Sequence, residues 1–222
     1  MTFIDDYTRY TWVYILKTKD QASQAIKDFL AMVKRQFNAE VKRFRTDGGG
    51  EYVNHEVKAT FAQEGITHEV TPPYSPESNG VAERFNRTLK EMIRTWLGSI
   101  EKYFLWAEAV NSAVYIKNRL PHRALDKTTP FEKLFGQKPS IIHLQPFGRK
   151  CYVHIPEAKR PSGTSLHHTA VDGIFVGYTD SNKIYRVYIP SFRIQGNFAF
   201  HQILLQINNR LRSHYQLLPW IN

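Results

Sequence analysis

Segments with the hydrophobic pattern of a strand alternate with segments that have the pattern of a helix along the first half of this 222-residue chain. Aromatic and β-branched residues dominate the strand-like segments, and apolar residues at helical spacing mark the others. The order of these elements predicts a layered α/β fold whose sheet is not fully parallel. The predicted elements are a hairpin over 2–16, a helix that opens at Asp20 and has an apolar stripe from 22 to 37, a strand over 41–46, a helix over 54–64 and a strand over 66–70.

A second group of elements follows a loop that is rich in proline and serine. Helices are expected over 81–97, with Gly98 ending the helix, and over 102–119, with Pro121 just beyond its end. A short helix over 131–134 precedes several β-type runs that are separated by proline, glycine and serine, which is typical of a small β barrel. These runs are 150–155, 173–178, 184–189 and 197–203.

The basic charge of the chain is concentrated in its second half. The net charge is +10; residues 1–100 carry 14 Lys and Arg against 13 Asp and Glu, whereas residues 101–222 carry 16 against 7. Such a surplus favours a polyanionic partner through Coulomb attraction and counterion release. A soluble basic protein without a special partner is the alternative, since charge alone does not decide between them.

Several classes of protein are disfavoured by the sequence. Cys151 is the only cysteine, so neither an internal disulfide nor a cysteine-based zinc site is expected. No apolar run reaches membrane-spanning length, and the first residues lack the pattern of a signal peptide. We therefore expect a soluble intracellular protein with no membrane partner.

Two carboxylates stand where a strand end and a helix start would expose them to an open cleft. Asp47 ends a predicted strand and precedes three glycines, which allow close approach of another backbone or a nucleic acid. Glu83 lies in the first turn of a predicted helix, where the electropositive helix end favours its ionised form. Carboxylates on rigid elements suit Mg²⁺ or Mn²⁺, the ions used in phosphodiester chemistry. Alternatively, both residues have structural roles, in a turn and at a helix start.

The helix that carries Glu83 is predicted to have two distinct faces. Its apolar positions are Val81, Phe85, Leu89, Met92 and Trp96. Its charged positions are Glu83, Arg87, Lys90 and Arg94. In the functional interpretation Glu83 binds metal and the cations bind backbone phosphates beside it. The alternative, which is compatible with the first, is an exposed face on which Glu83 pairs with Arg87.

Together these features resemble the integrase of Copia/Ty1-type LTR retrotransposons. The resemblance extends from residue 2 to about residue 190, and its motifs occur in the family's order. The matching segments are 3–14, 45–52, 73–84, 118–121 and 173–178.

The resemblance implies an RNase H-like integrase core over 1–125, an SH3-like β domain over 139–205 and a divergent tail over 206–222. The family holds two divalent metal ions with two aspartates and a glutamate, and it transfers DNA strands. Asp47 matches the second aspartate and Glu83 matches the glutamate, with 35 residues between them.

The resemblance also implies partners for this chain. In retroviral relatives, basic residues at the positions of Arg87 and Lys90 contact DNA, and we add Arg94 to this set. The loop that holds Tyr74 and Asn79 matches a loop that borders the active site, so both residues are expected to contact nucleic acid. Donor and target DNA, a homo-oligomer and a nuclear location follow from the resemblance, and a small-molecule substrate does not.

The sequence departs from the family pattern at its start. The first catalytic aspartate and its strand, which precede the motif at 3–14 in the family, are absent, and Asp5 and Asp6 are not expected to replace it. The family's preceding zinc-binding domain is also missing. We therefore expect a fragment or decayed copy of a longer polyprotein, with impaired strand transfer. The alternatives are a nucleic-acid-binding relic without catalysis and a translated remnant that folds poorly.

Overall fold

The computed structural model describes residues 1–72, 80–155, 169–179, 184–194 and 197–203, with side chains as far as Pro190. The chain divides into two compact units, Met1–Gly148 and a second unit that begins at Arg149. The first unit contains β1 (Thr2–Ile4), β2 (Thr11–Val13), α1 (Ala22–Phe37), β3 (Arg43–Thr46), α2 (His55–Gln63), β4 (Thr67–Val70), α3 (Gly80–Ile100), α4 (Trp106–Arg119) and α5 (Pro130–Phe135). The second contains β5 (Lys150–His154), β6 (Ala170–Tyr178), β7 (Tyr185–Ile194) and β8 (Asn197–Ile203).

The first unit begins with the predicted hairpin. Strands β1 and β2 pair antiparallel, with Phe3 opposite Trp12. The Asp5 carboxylate closes the turn by accepting hydrogen bonds from the backbone N–H and the hydroxyl of Thr8, at 2.8 and 2.5 Å. Arg9 adopts a left-handed conformation with φ 59°. This side-chain bonding explains why a turn without glycine is stable here.

Strands β3 and β4 form a separate parallel pair, in which Thr46 lies opposite Val70. The connecting helix α2 begins at Asn54, whose side chain accepts a hydrogen bond from the Val57 backbone N–H at 2.8 Å. The two strand pairs share one hydrophobic core, because the Phe3 ring stacks on Phe29 of α1 at 4.2 Å and meets Phe44 of β3 at 5.9 Å. The mixed strand directions confirm that the sheet elements are not fully parallel.

Helices α3 and α4 pack against each other through a second core around Leu89, Ala113 and Val114. Helix α4 is fastened to the hairpin by Asn118. Its side-chain amide accepts from the Thr11 backbone N–H at 2.9 Å and donates to the Thr11 carbonyl at 2.8 Å, and both groups are buried. The Asn118 amide thus pairs with both backbone groups of Thr11, as the backbone of a neighbouring strand would. These two bonds hold α4 beside β2.

The prediction that Gly98 ends α3 was wrong. The helix continues to Ile100, and the left-handed residue that follows it is Glu101, with φ 51°. Leu97 is 5% exposed, and the Ile100 side chain lies against the Cα of Gly148. Burial of these two side chains stabilises the last turn by more than the roughly 1 kcal/mol that a glycine costs inside a helix.

Helix α5 follows its sequence signals closely. Thr129 caps its first turn by accepting a hydrogen bond from the Glu132 N–H at 3.0 Å, and Gly136 ends it with φ 72°. The ring of Phe135 contacts Tyr10 and Phe37, with centroids 5.6 and 5.9 Å apart. Helix α5 therefore belongs to the core of the first unit.

The second unit is built from four antiparallel strands in the order β5-β6-β7-β8, and each strand overlaps one of the four predicted β runs. Its core contains Val153, Val187 and Ile189. Gly173 of β6 allows the Val187 side chain to approach closely, since a Cβ there would lie 2.5 Å from Val187 Cγ1.

Candidate active site and the charged face of α3

Asp47 lies at the carboxyl end of β3, as the sequence predicts, and it is exposed. Its Oδ1 atom accepts a hydrogen bond from the Gly49 backbone N–H at 3.1 Å. The ladder between β3 and β4 extends to the neighbouring residues, because the Thr71 N–H donates to the Thr46 carbonyl at 2.9 Å. Asp47 is thus held at the end of a parallel strand pair, with its second oxygen available to a ligand.

A second carboxylate, which the sequence analysis missed, lies beside Asp47. A Cβ placed on Gly49 would lie 2.9 Å from Glu51 Oε2 and 3.0 Å from Asp47 Oδ1. Burial raises the pKa of the Tyr52 phenol, and the charges of Asp47 and Glu51 raise it further. The only signal in the sequence was the glutamate after the glycine run, and its spacing does not predict that a turn folds it back.

Glu83 lies in the first turn of α3 and is exposed. It forms no ion pair with Arg87 or with any other described residue. The predicted helix pairing between these two residues is therefore not observed. Glu83 lies at the electropositive end of the helix, where the helix dipole attracts anions.

The predicted cations of α3 are exposed along the line that Glu83 begins. They are Arg87, Lys90 and Arg94. None of them forms an ion pair within the part of the chain that the structure describes. On the other side of the helix Leu89 and Leu97 are buried, so the predicted amphipathic character of α3 is confirmed.

The structure does not bring every predicted site residue together. Among the described residues, no three His, Cys, Asp or Glu side chains converge as a metal centre would require. Tyr74 and Asn79 lie outside the described residues. Asp5 bonds to Thr8, and Asp6 pairs with Arg9, so both of the hairpin carboxylates are engaged in their own turn.

Comparison with known families matches three parts of the sequence. Residues 1–76 and 64–103 match two families that are both described as integrase core domain. Residues 149–194 match the retroviral polymerase SH3-like domain. The two matched domain types correspond to the two compact units of the structure.

The curated proteins that resemble this chain include Pol polyproteins of plant transposons. The chain is 42% identical over 192 residues to the retrovirus-related Pol polyprotein from transposon TNT 1-94 of Nicotiana tabacum, over 86% of this chain and 14% of that protein. This chain belongs to the retrotransposon integrase family. The retrovirus-related Pol polyprotein from transposon RE2 of Arabidopsis thaliana is 36% identical over 195 residues, which are 86% of this chain and 13% of that protein. The chain thus spans about one seventh of the length of these relatives.

A solved structure supports the fold of this chain. The structure of a simian T-cell lymphotropic virus intasome in complex with PP2A regulatory subunit B56 gamma matches with a TM-score of 0.51 and 16% identity, over 86% of this chain and 66% of that chain. At this identity the likeness establishes a retroviral integrase-type, RNase H-like fold. No helix in the described part of the chain is both long and apolar enough to cross a bilayer.

Proposed function

We propose that this chain takes part in DNA integration as the core of a polynucleotidyl transferase, in which a DNA 3′-hydroxyl attacks a target phosphodiester bond. One observation carries the proposal. Asp47 at the end of β3 and Glu83 at the start of α3 are exposed carboxylates without ion pairs among the described residues, and Glu83 begins a line of unpaired cations. Acidic oxygens for metal beside cations for phosphates are what strand transfer requires.

Asp47 and Glu83 are the residues that would hold Mg²⁺ or Mn²⁺. Their hard oxygen donors and their exposure fit such ions. When bound, a pair of divalent ions supplies activation of the attacking oxygen and stabilisation of the leaving oxygen. The Gly49 N–H orients the Asp47 carboxylate, and α3 holds Glu83. Arg87, Lys90 and Arg94 would bind backbone phosphates of the nucleic acid. Tyr74 and Asn79 are proposed as further nucleic-acid contacts.

Asp47 and Glu83 match two of the three carboxylates that the family resemblance implies. A site with these two carboxylates alone lacks one metal ligand, which costs several kcal/mol of transition-state stabilisation. We therefore propose that strand transfer by residues 1–222 in isolation is slower than by a site with three carboxylates by about a thousandfold or more. A strand-transfer assay with Mg²⁺ or Mn²⁺ measures this. Rapid turnover by the chain alone would contradict the expected impairment.

The metal site is tested separately from turnover. We expect Asp47→Asn and Glu83→Gln each to weaken Mn²⁺ binding at least about tenfold, measured by paramagnetic resonance of the free ion, because each removes one anionic ligand. Glu91→Gln is the matched control, since Glu91 is also exposed on α3. Unchanged Mn²⁺ affinity in both site variants would contradict the proposed site.

The second candidate is a nucleic-acid-binding protein without catalysis. It is favoured by the exposed cations of α3, which need no metal to hold phosphates. We expect Arg87→Glu, Lys90→Glu and Arg94→Glu together to weaken duplex binding at least about tenfold and to flatten its salt dependence. The control reverses Lys34, Arg35 and Lys58, which are exposed on α1 and α2. Unchanged duplex affinity in the α3 triple variant would show that the α3 face is not the contact.

We also propose, from family membership, that the protein acts as a homo-oligomer in the nucleus. The related solved structure is described as an intasome, and the proposal extends assembly to this chain. Light scattering at increasing protein concentration tests it. A monomer with and without DNA up to about 100 μM, well above the Kd of specific protein–DNA complexes, would contradict the oligomer.

A further inference from the structure

A second charged site lies on the first unit. It is next to the exposed line of Glu83, Arg87, Lys90 and Arg94 on α3, which we call the Glu83 line. It is a cavity of about 260 Å³ between α3, the end of α4, the turn of the hairpin and the segment that leads into α5. Arg84, Phe85 and Thr88 form its α3 wall. Phe85 and Thr88 lie roughly 100° or more around the helix from Glu83, Arg87 and Lys90, and Arg84 lies about 60° from Arg87, at 100° per residue. The cavity and the exposed line therefore occupy neighbouring faces of α3 that meet at Arg84.

The polar lining of this cavity is strongly cationic. Arg9, Arg84, Lys117 and His122 line it, and no carboxylate does so among the described residues. Asp6 pairs with Arg9, whereas Arg84 and Lys117 form no ion pair with a described residue. Gathering like charges in one concavity costs free energy that a bound anion would recover.

His122 shows that the charges converge. Burial lowers the pKa of its imidazole, and the charges of Lys117 and Arg9 lower it further. Its Nδ1 atom lies 3.2 Å from the Ala124 backbone N–H and accepts a hydrogen bond from it. The neutral ring therefore carries its proton on Nε2, and this N–H is a donor that the Ala124 bond does not use.

The cavity is built on fastened elements. Asn118, which follows Lys117, bonds to both backbone groups of Thr11. The segment after α4 is closed by a hydrogen bond from the His122 N–H to the Thr128 carbonyl at 3.0 Å. The elements that carry the cavity's donors are therefore held in place before a ligand binds, which lowers the entropy cost of binding.

We propose that this cavity binds one phosphate group of a nucleic-acid backbone. Its volume is below that of pockets for drug-sized molecules and suits a small anion. Guanidinium, ammonium and imidazole N–H groups are the donors that recognise phosphate oxygens. That the phosphate belongs to a nucleic acid rests on the proposed function, whereas the binding of the anion itself does not. The site extends the contact surface of the chain from one face of α3 to two.

The test uses the full chain and two probes, inorganic phosphate and a 20-bp DNA duplex. The first readout is the NMR titration of the His122 ring, assigned by the signal that His122→Gln removes. Phosphate is expected to raise the titration midpoint of this ring, because an anion stabilises its charged form. The double variant Arg84→Gln, Lys117→Gln is expected to lower phosphate affinity at least tenfold, and Lys34→Gln, Arg35→Gln serves as the control.

The second readout is the slope of log K for the duplex against log salt. The double variant is expected to reduce this slope by about 1, the loss of one phosphate contact. Phosphate binding that is equal in the double variant and the wild type overturns the site. Loss of phosphate binding with an unchanged duplex slope overturns the nucleic-acid source and leaves a site for free phosphate.

Two further controls keep the result interpretable. Arg84→Gln alone changes an exposed side chain, so it retains the fold and gives a partial effect if the double variant unfolds. The triple variant Arg87→Glu, Lys90→Glu, Arg94→Glu tests the proposed function independently. If that triple variant loses the duplex but keeps the phosphate response of His122, the two sites are distinct, as proposed.

Discussion

At the scale of single residues, the candidate active site depends on a glycine as much as on its carboxylates. Asp47 and Glu51 both fold over Gly49, where a side chain would meet their oxygens at 3.0 and 2.9 Å. Gly49 does not have a positive φ, so its backbone conformation does not require glycine. Glycine is needed here because the two carboxylates occupy the space next to its Cα. The absence of a side chain at this position allows the two carboxylates to lie together.

This arrangement predicts a specific effect of Gly49→Ala. The added methyl would displace the ends of two flexible side chains, so the free energy of unfolding should change by less than about 1 kcal/mol. Mn²⁺ affinity should fall several-fold, because the Asp47 carboxylate can no longer take its present position. Calorimetric titration with Mn²⁺ and thermal unfolding measure the two quantities.

Gly48→Ala and Gly50→Ala are the matched controls, since a Cβ at either position meets nothing within 4 Å. If all three variants bind Mn²⁺ equally, the position of the Asp47 carboxylate does not matter for the metal.

At the scale of elements, α3 illustrates how tertiary contacts extend a helix beyond its local stop signal. Gly98 is exposed in the last turn, and Leu97 and Ile100 on either side of it are buried or half-buried. Glycine weakens a helix, but it terminates one only when its neighbours have nothing to pack against.

Gly98→Ala is therefore expected to stabilise the first unit by about 0.5–1 kcal/mol, because alanine loses less backbone entropy in a helix. Urea unfolding of the first unit measures the change. Gly136→Ala provides the contrast: Gly136 has φ 72°, so alanine there should destabilise by about 1–2 kcal/mol. Destabilisation by Gly98→Ala would indicate that the helix ends at Gly98 after all.

At the scale of the whole molecule, three histidines of the first unit share one response to pH. Burial is the largest cause that lowers the pKa of His68, His122 and His143, and nearby cations lower each further. The folded state thus binds protons less readily than the unfolded state, in which the pKa is about 6.5.

Protonation of these histidines destabilises the folded first unit as the pH falls. Above pH 6.5 these histidines are neutral in both states, and as pH falls below 6.5 the unfolded state takes up protons first. The unfolding midpoint of the first unit should therefore fall between pH 7 and pH 5. His143→Gln, which removes one of the three groups, should make this fall smaller. A midpoint that does not change over this range would contradict the lowered pKa values.

The pattern of residues along the chain was sufficient to predict most elements. The hairpin, the strands β3 and β4, the capped helix α5 and the amphipathic α3 follow from signals that act within a few residues, such as periodicity and caps. Motif order also gave the family and the succession of two domain types, which the comparisons bear out. The line of Glu83 and the α3 cations could be read from helical spacing alone.

Only the tertiary structure decided features that join distant parts of the chain. Burial of Leu97 and Ile100 carries α3 past Gly98, and a turn brings Glu51 back to Asp47. The cationic cavity brings Arg9 together with Arg84 and Lys117. Arg9 precedes both of them by more than seventy residues in the sequence. Sequence spacing determines which residues share a face of one element, whereas packing between elements determines which faces meet, and that depends on the burial of the whole core.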